Sequence, residues 1–412
     1  MKVLILSTYE KTGGAAIAAG RLMQALQKHG VEVSMLTRRN ISWWPKQLKP
    51  QSYTSLWERF VILLRLLVKP RANLVRKNFV NTPTLDRIKG LWAIDLANCG
   101  QDITKTKEYK EADVIHLHWI NQGFISLNTI KKILGSGKRV VWTMHDEWPL
   151  EGTEHYTGDS DLKNQKDSLN ESVIRKKKRI YDSGRITFVT CSKWLGDIAR
   201  QKALGMGREI VSIPNPIDTN LFKPMDREEV RRELGLPVDK RLLLFGCQKV
   251  TDERKGLRYL IDATKSLKEN GNMAVVLVGQ DTEDTARMLH LQCFPMGTIR
   301  DVERMAKLYA ACDCFVTPSL QDNLPNTIME SMSCGTPCVG FNVGGIPEMI
   351  DHLNNGYVAE YRNAEDLARG IQHVLADDNH GRLSVSARQK VEETYGEAVI
   401  AHRYMELYEA HR

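Results

Sequence analysis

Residues 314–341 read CFVTPSLQDNLPNTIMESMSCGTPCVGF, and their pattern sets the fold class. Cys314–Thr317 is a continuous apolar run of strand length, as a parallel strand buried on both faces requires. Asn326–Ser333 follows with helical spacing, and Pro337–Gly340 returns to a short apolar strand. Strand, helix and strand in succession make a βαβ unit, the building block of a parallel sheet. Two carboxylates, Asp322 and Glu330, are separated by seven residues across the strand-to-helix turn. The N–H groups over Leu324–Thr327 have no backbone partners in such a turn, and with the helix dipole they favour an anion. A carboxylate ahead of the turn suits sugar hydroxyls, and one on the first turns of the helix suits a ribose diol. A diphosphate would sit between them.

The same alternation extends in both directions. Lys2–Ser7 is an apolar run, Ala15–Lys28 has helical apolar spacing, Gly30 stands at a helix C-cap position, and Val31–Leu36 is a second strand. Val114–His118 and Val140–Met144 read as strands around a Leu127–Leu134 helix. Ile186–Cys191 is another strand, with a helix from about Trp194. Residues 211–224, VSIPNPIDTNLFKP, hold three prolines and read as a connector. The alternation then restarts with strands Arg241–Gly246 and Ala274–Gly279 and helices Gly256–Glu269, Val302–Ala311 and Ala364–Ala376. The expectation is an α/β protein of two facing Rossmann-like, doubly wound domains with a cleft between them. Ligands bind such sheets at the carboxyl ends of the strands.

Composition narrows the function classes. With 42% hydrophobic and 26% charged residues in 412, the chain is neither disordered nor collagen-like. Its longest apolar run, Phe60–Val68, is broken by Arg65 and is far short of a membrane span. Met1–Leu6 runs into Ser7-Thr8-Tyr9-Glu10 without a cleavage site, so a cytoplasmic protein is expected. Eight cysteines without a C-x2-C pair read as reduced core thiols. Residues 1–200 carry 33 Lys and Arg against 19 Asp and Glu, net +14, while residues 201–412 are net −6. The basic half fits a phosphate-bearing substrate or an anionic membrane. No zinc finger, RNP-type sequence or basic–aromatic ladder points to nucleic acid. Trp57–Phe79 reads either as a basic amphipathic helix in peripheral contact with an anionic membrane or as a core helix with a solvated basic side. Arg175–Arg179 reads as a solvated helix face, with acidic lipid as the alternative.

The Asp322–Glu330 segment resembles the E-x7-E signature of retaining GT-B glycosyltransferases of the large family 4 type, which includes sucrose synthase, glycogen synthase and bacterial polysaccharide and lipopolysaccharide sugar transferases. Ile213-Pro214-Asn215-Pro216-Ile217-Asp218 and Phe222-Lys223-Pro224 match the family's interdomain stretch. Gly340, Gly344, Gly345 and Pro347-Glu348 match the segment after the signature helix. This sequence has Asp322 where the family has Glu.

The resemblance implies roles for particular residues. The donor site would comprise Gly13 and Gly14 after the first strand, the cations Lys249, Arg254 and Lys255, and the turn Asp322, Asn323, Leu324, Pro325, Asn326, Thr327 with Glu330. Lys249 and Lys255 have the spacing of the family's diphosphate-binding pair, with Lys at 249 where Arg is usual. The catalytic group would be His145, Asp322 and Lys255, with His145 beside the transferred sugar and Asp146 orienting it or capping. His116 and His118 share a strand face and stay open between a structural and a functional role. Asp159-Ser160-Asp161 reads as a surface turn, so neither metal nor other cofactor is expected.

Residues 1–210 would bind acceptor and 211–395 the nucleotide-sugar donor, with 396–412 a terminal helix crossing back to the first domain. The implied reaction moves a hexose-type sugar from a nucleotide-diphosphate sugar to a glycan or lipid-linked acceptor, with retention at the anomeric carbon. Exopolysaccharide, capsule or lipopolysaccharide synthesis is the expected setting, at the inner face of the membrane. A nucleotide-sugar epimerase, a sugar phosphorylase and a non-enzymatic glycan or membrane scaffold with a degenerate site remain as alternatives.

Overall fold

The computed structural model describes residues 1–38, 95–98, 100–155, 168–202, 204–268 and 272–410. Among them twelve strands form two six-stranded parallel sheets, each in its own compact unit. Met1–Cys191, Leu195–Ser212 and the chain from Tyr408 onward make the first unit. Ser192–Trp194 and Ile213–Leu407 make the second.

The first sheet consists of β1 (Lys2–Ser7), β2 (Glu32–Thr37), β3 (Val114–Leu117), β4 (Arg139–Met144), β5 (Thr187–Thr190) and β6 (Glu209–Ser212), in the order β2-β1-β3-β4-β5-β6. The second consists of β7 (Arg241–Lys249), β8 (Met273–Gln280), β9 (Gln292–Pro295), β10 (Cys314–Thr317), β11 (Cys338–Phe341) and β12 (Gly356–Ala359), in the order β12-β11-β10-β7-β8-β9. Both are doubly wound, as their apolar runs imply. Val3–Leu6, Ile115, Val141, Phe188, Leu243, Val276 and Val316 are essentially without solvent exposure. Each such side chain contributes roughly 1.5–3 kcal/mol through burial.

The differences from the sequence reading lie mainly at the edges. Val211 and Ser212 do not begin the connector but end β6, which pairs with β5. β6 and β9 are outermost strands with half-exposed side chains, so neither shows a continuous apolar run. The long helix Asp377–Tyr395 buries only His380, Leu383, Ala387, Val391 and Tyr395, a single narrow stripe on a polar helix.

In each sheet the winding reverses beside the first strand. In the first unit β1 lies between β2 and β3, and in the second β7 lies between β8 and β10. Loops leaving the carboxyl ends of β1 and β3, and of β7 and β10, therefore diverge at a switch point, where doubly wound sheets bind their ligands.

Candidate active site

In the second unit the two switch-point loops lock together through glycines. Gly256 adopts φ +71°, and a Cβ there would stand 1.8 Å from the Pro318 carbonyl oxygen. Only glycine permits both the conformation and the approach. The Leu320 N–H donates to the Arg254 carbonyl at 2.7 Å, closing the contact. Lys255 is thereby aimed at Asp322, with Nζ–Oδ2 at 2.6 Å. Burial works against the Lys255 charge, but Asp322 outweighs it and holds the ammonium pKa above its ordinary value. Gly344, at φ +59°, and Gly345 press on the other side of the same turn. Their Cβ atoms would fall 1.8 and 1.9 Å from the carbonyl oxygens of Asp322 and Asn323.

The turn feeds the helix Asn326–Ser333, which starts at Pro325 with no side-chain cap. Its first-turn N–H groups retain the anion-binding character of an uncapped helix start. Asn323 accepts the Ser192 hydroxyl at 2.5 Å, and Asn326 accepts from the Asn215 amide at 3.2 Å. Leu324 is buried beneath the turn, and Thr327 follows Asn326 on the first turn of the helix. Glu330 is 8% exposed and accepts the Tyr309 hydroxyl at 2.9 Å. The other two cations point elsewhere. Lys249 pairs with Asp281 at 3.4 Å, and Arg254 pairs with Asp252 at 3.0 Å.

In the first unit, the exposed Thr12-Gly13-Gly14 loop follows β1. Gly13, at φ +88°, starts the helix Gly14–Lys28 without a side-chain cap. Within β3 and just beyond β3 and β4, three imidazoles line up. His116 lies between the Tyr408 hydroxyl and Thr143 Oγ1, both at 2.7 Å. His118 Nδ1 meets His145 Nε2 at 3.0 Å, and His145 Nδ1 lies 3.6 Å from Cys191 Sγ. Burial lowers all three pKa values, His116 to about 3, His145 to about 4 and His118 well below its ordinary value. Burial thus favours the neutral form of each ring.

Asp146 makes a different set of contacts. Its Oδ2 accepts from His155 Nδ1 at 2.6 Å and from Trp119 Nε1 at 3.0 Å, and its Oδ1 caps the Trp148 N–H at 3.1 Å. Burial opposes the His155 charge, yet Asp146 outweighs it and raises the His155 pKa. Sequence reasoning missed His155 and Trp119, since nothing in their spacing ties them to Asp146. It also missed Tyr309 as the partner of Glu330.

Arg175–Arg179 is not uniformly a solvated face. Lys177, within the helix Ser168–Tyr181, has no exposed surface. Its ammonium donates to the carbonyls of Trp148, at 2.5 Å, and Glu151, at 2.8 Å, and lies 3.5 Å from the Trp148 ring centre. A charge pattern read from sequence cannot distinguish a lysine that turns inward to backbone carbonyls. Trp57–Phe79 and Asp159–Asp161 lie outside the described residues. Among the described residues no group of His, Cys, Asp and Glu could hold a metal ion, and no helix is long and apolar enough to cross a membrane.

Two doubly wound parallel halves, each with chemistry-bearing residues at its switch point, correspond to the GT-B fold of sugar transferases. The family model described as Glycosyltransferase Family 4 matches residues 12–221, and that described as Glycosyl transferases group 1 matches residues 239–377; the chain is a glycosyltransferase belonging to family 4. It is similar to the N-acetyl-alpha-D-glucosaminyl L-malate synthase of Bacillus anthracis, with 23% identity over 74% of this chain and 77% of that one. Among solved structures it resembles sucrose-phosphate synthase from Thermosynechococcus elongatus, at TM-score 0.69 and 20% identity over 99% and 98% of the two chains. It also resembles Anabaena HepE in complex with UDP-glucose, at TM-score 0.60 and 16% identity over the full length of both.

Proposed function

We propose that this glycosyltransferase moves a hexose-type sugar from a nucleoside diphosphate donor to a glycan or lipid-linked acceptor with retention of anomeric configuration. The observation that carries the donor assignment is the Lys255–Asp322 pair, 2.6 Å apart at the switch point of the second sheet and beside an uncapped helix start. The diphosphate takes the N–H groups of Asn326 and Thr327 and the Lys255 ammonium. Asp322 holds hydroxyls of the transferred sugar, and Glu330 takes the ribose diol, as a charged acceptor suits a vicinal diol. Similarity to a protein solved with UDP-glucose supports this class of donor.

The bond between the anomeric carbon and the diphosphate oxygen breaks, and its electron pair stays on the diphosphate. Lys255 and the helix N-terminus stabilise the charge that develops there. The acceptor hydroxyl attacks the anomeric carbon from the same face and gives its proton to the departing phosphate. Retention then needs no carboxylate nucleophile of the kind glycosidases use. His145 contacts the transferred sugar as a neutral group.

The pathway reading is exopolysaccharide, capsule or lipopolysaccharide synthesis at the inner face of the membrane. The first unit's basic surplus would attach it reversibly to anionic lipid at about 1 kcal/mol per cation. Salt-sensitive co-sedimentation with anionic but not neutral vesicles tests that placement. The donor assignment is tested by isothermal titration of UDP-, GDP- and ADP-sugars into wild type and Glu330→Ala. One nucleotide should bind, at least tenfold more weakly to the variant, and equal affinity in a folded variant removes Glu330 from the site.

A further inference from the structure

His145 is engaged at both ring nitrogens, and its partners fix where its proton sits. Cys191 Sγ lies 3.4 Å from the Met144 carbonyl oxygen, an atom that only accepts, so the thiol hydrogen is directed there. Burial pushes the thiol pKa up and keeps that hydrogen in place. The sulfur then faces His145 Nδ1, at 3.6 Å, as an acceptor. The His145 proton is therefore on Nδ1, and Nε2 carries a lone pair. His118 Nδ1, 3.0 Å from that lone pair, must be the donor.

The far end of the chain gives an independent check. With its proton on Nδ1, His118 has a bare Nε2, and that atom is buried without a hydrogen-bond partner in a residue only 2% exposed. The reverse assignment, with the thiol donating to His145, turns every bond around and leaves a buried His118 N–H with no acceptor. Orphaned buried N–H groups are the rarer and costlier case. The carbonyl beside Cys191 and the orphan on His118 select the same tautomer.

We propose that His118 is a positioning residue that locks neutral His145 in its Nδ1–H tautomer, so that the Nε2 lone pair is what His145 presents to a substrate hydroxyl. A sugar hydroxyl that accepts the His118 N–H and donates to His145 Nε2 leaves both imidazole protons where they are. This deepens the reading in which His145 meets the transferred sugar and rests on it. It also accounts for a second histidine two residues from His116 on the same strand face, where His116 is tied to Tyr408 and Thr143 instead.

The test is a two-bond proton–nitrogen correlation spectrum of the full chain labelled with 15N-histidine and free of ligand, with His145 assigned from the signals lost in His145→Gln. Wild type should show His145 in the Nδ1–H form. A net hydrogen bond of ordinary strength corresponds to about a two- to tenfold preference. His118→Phe should lower the tautomer ratio by that factor, and His118→Asn, whose amide can donate, should restore it. Cys191→Ala should lower it in the same way by removing the sulfur acceptor. An Nε2–H wild type, or an unaltered ratio in His118→Phe, overturns the proposal. If His118→Phe does not fold, an unaltered ratio in Cys191→Ala overturns it instead. Because these spectra need neither donor nor acceptor, this inference and the proposed activity can fail separately.

Discussion

Replacing Lys255 by alanine should slow transfer far more than it weakens nucleoside monophosphate binding. The Lys255 ammonium is 2.6 Å from Asp322, with side chains 33% and 17% exposed. It is shielded enough to act strongly on a phosphate and open enough to reach one. Loss of one preorganised stabiliser of developing charge costs ~2.7–4 kcal/mol in the transition state, so kcat should fall about 100- to 1000-fold. A charge-assisted hydrogen bond to a bound diphosphate is worth ~1.5–3 kcal/mol, or about ten- to hundredfold in affinity for nucleoside diphosphate. Monophosphate affinity should change by less than about threefold, because the proposed contact of the lysine is with the outer phosphate. Because the Lys255 pKa is raised, the pair's stabilising effect is complete below the unfolded value of 10.5 and is lost only as pH climbs through the raised value. Kinetics near pH 7–8 thus compare one protonation state in both proteins. The assay is steady-state turnover beside titration calorimetry with mono- and diphosphate, with Lys255→Arg as the charge-retaining control. Turnover within threefold of wild type in a folded Lys255→Ala protein would refute the reasoning and move the role to Arg254 or Lys249.

Three further outcomes follow from particular contacts. Gly344→Ala places a Cβ 1.8 Å from the Asp322 carbonyl oxygen at φ +59°, so it should lower the melting temperature and abolish nucleotide binding; wild-type values for both would show that the turn is not held this way. Glu330→Ala removes the carboxylate that accepts the Tyr309 hydroxyl at 2.9 Å and should cost about 0.5–3 kcal/mol of stability, read from urea unfolding, whereas Glu330→Gln should recover most of it. For Lys177, burial lowers the ammonium pKa to about 7, below the unfolded 10.5. The unfolded chain therefore binds more protons between those values, and wild type should gain stability relative to Lys177→Met as pH rises from 7 to 9, by at most about 1.4 kcal/mol per unit. A pH-independent difference would contradict the burial of a titrating lysine.

Much of this arrangement was legible because buried parallel strands leave uninterrupted apolar runs and the helices packed on them repeat apolar residues at helical spacing. Lys2–Ser7, Cys314–Thr317, Leu127–Leu134, Val302–Ala311 and Asn326–Ser333 fall where the pattern puts them. The outermost strands β6 and β9 did not, since half-exposed side chains carry no such signal. The glycine roles illustrate the same boundary. Gly344 and Gly345 stand out in sequence as a pair, but only the backbone shows that they admit the Asp322–Asn323 carbonyls. Long-range polar partners were illegible altogether. Nothing ties Tyr309 to Glu330, His155 to Asp146, or Cys191 to His145 except the folded sheets that bring them together. Lys177 sits in a run of five basic residues and is the one whose helix position faces the Trp148 carbonyl.

Retaining transfer from a nucleoside diphosphate sugar is tested most directly by following donor cleavage by proton NMR, with water standing in for the acceptor. With the donor identified by titration, the first sugar released should have the anomeric configuration of the donor, seen before mutarotation, and its rate should collapse in Lys255→Ala. Release of the opposite anomer, or no cleavage of any donor that binds, would contradict the account.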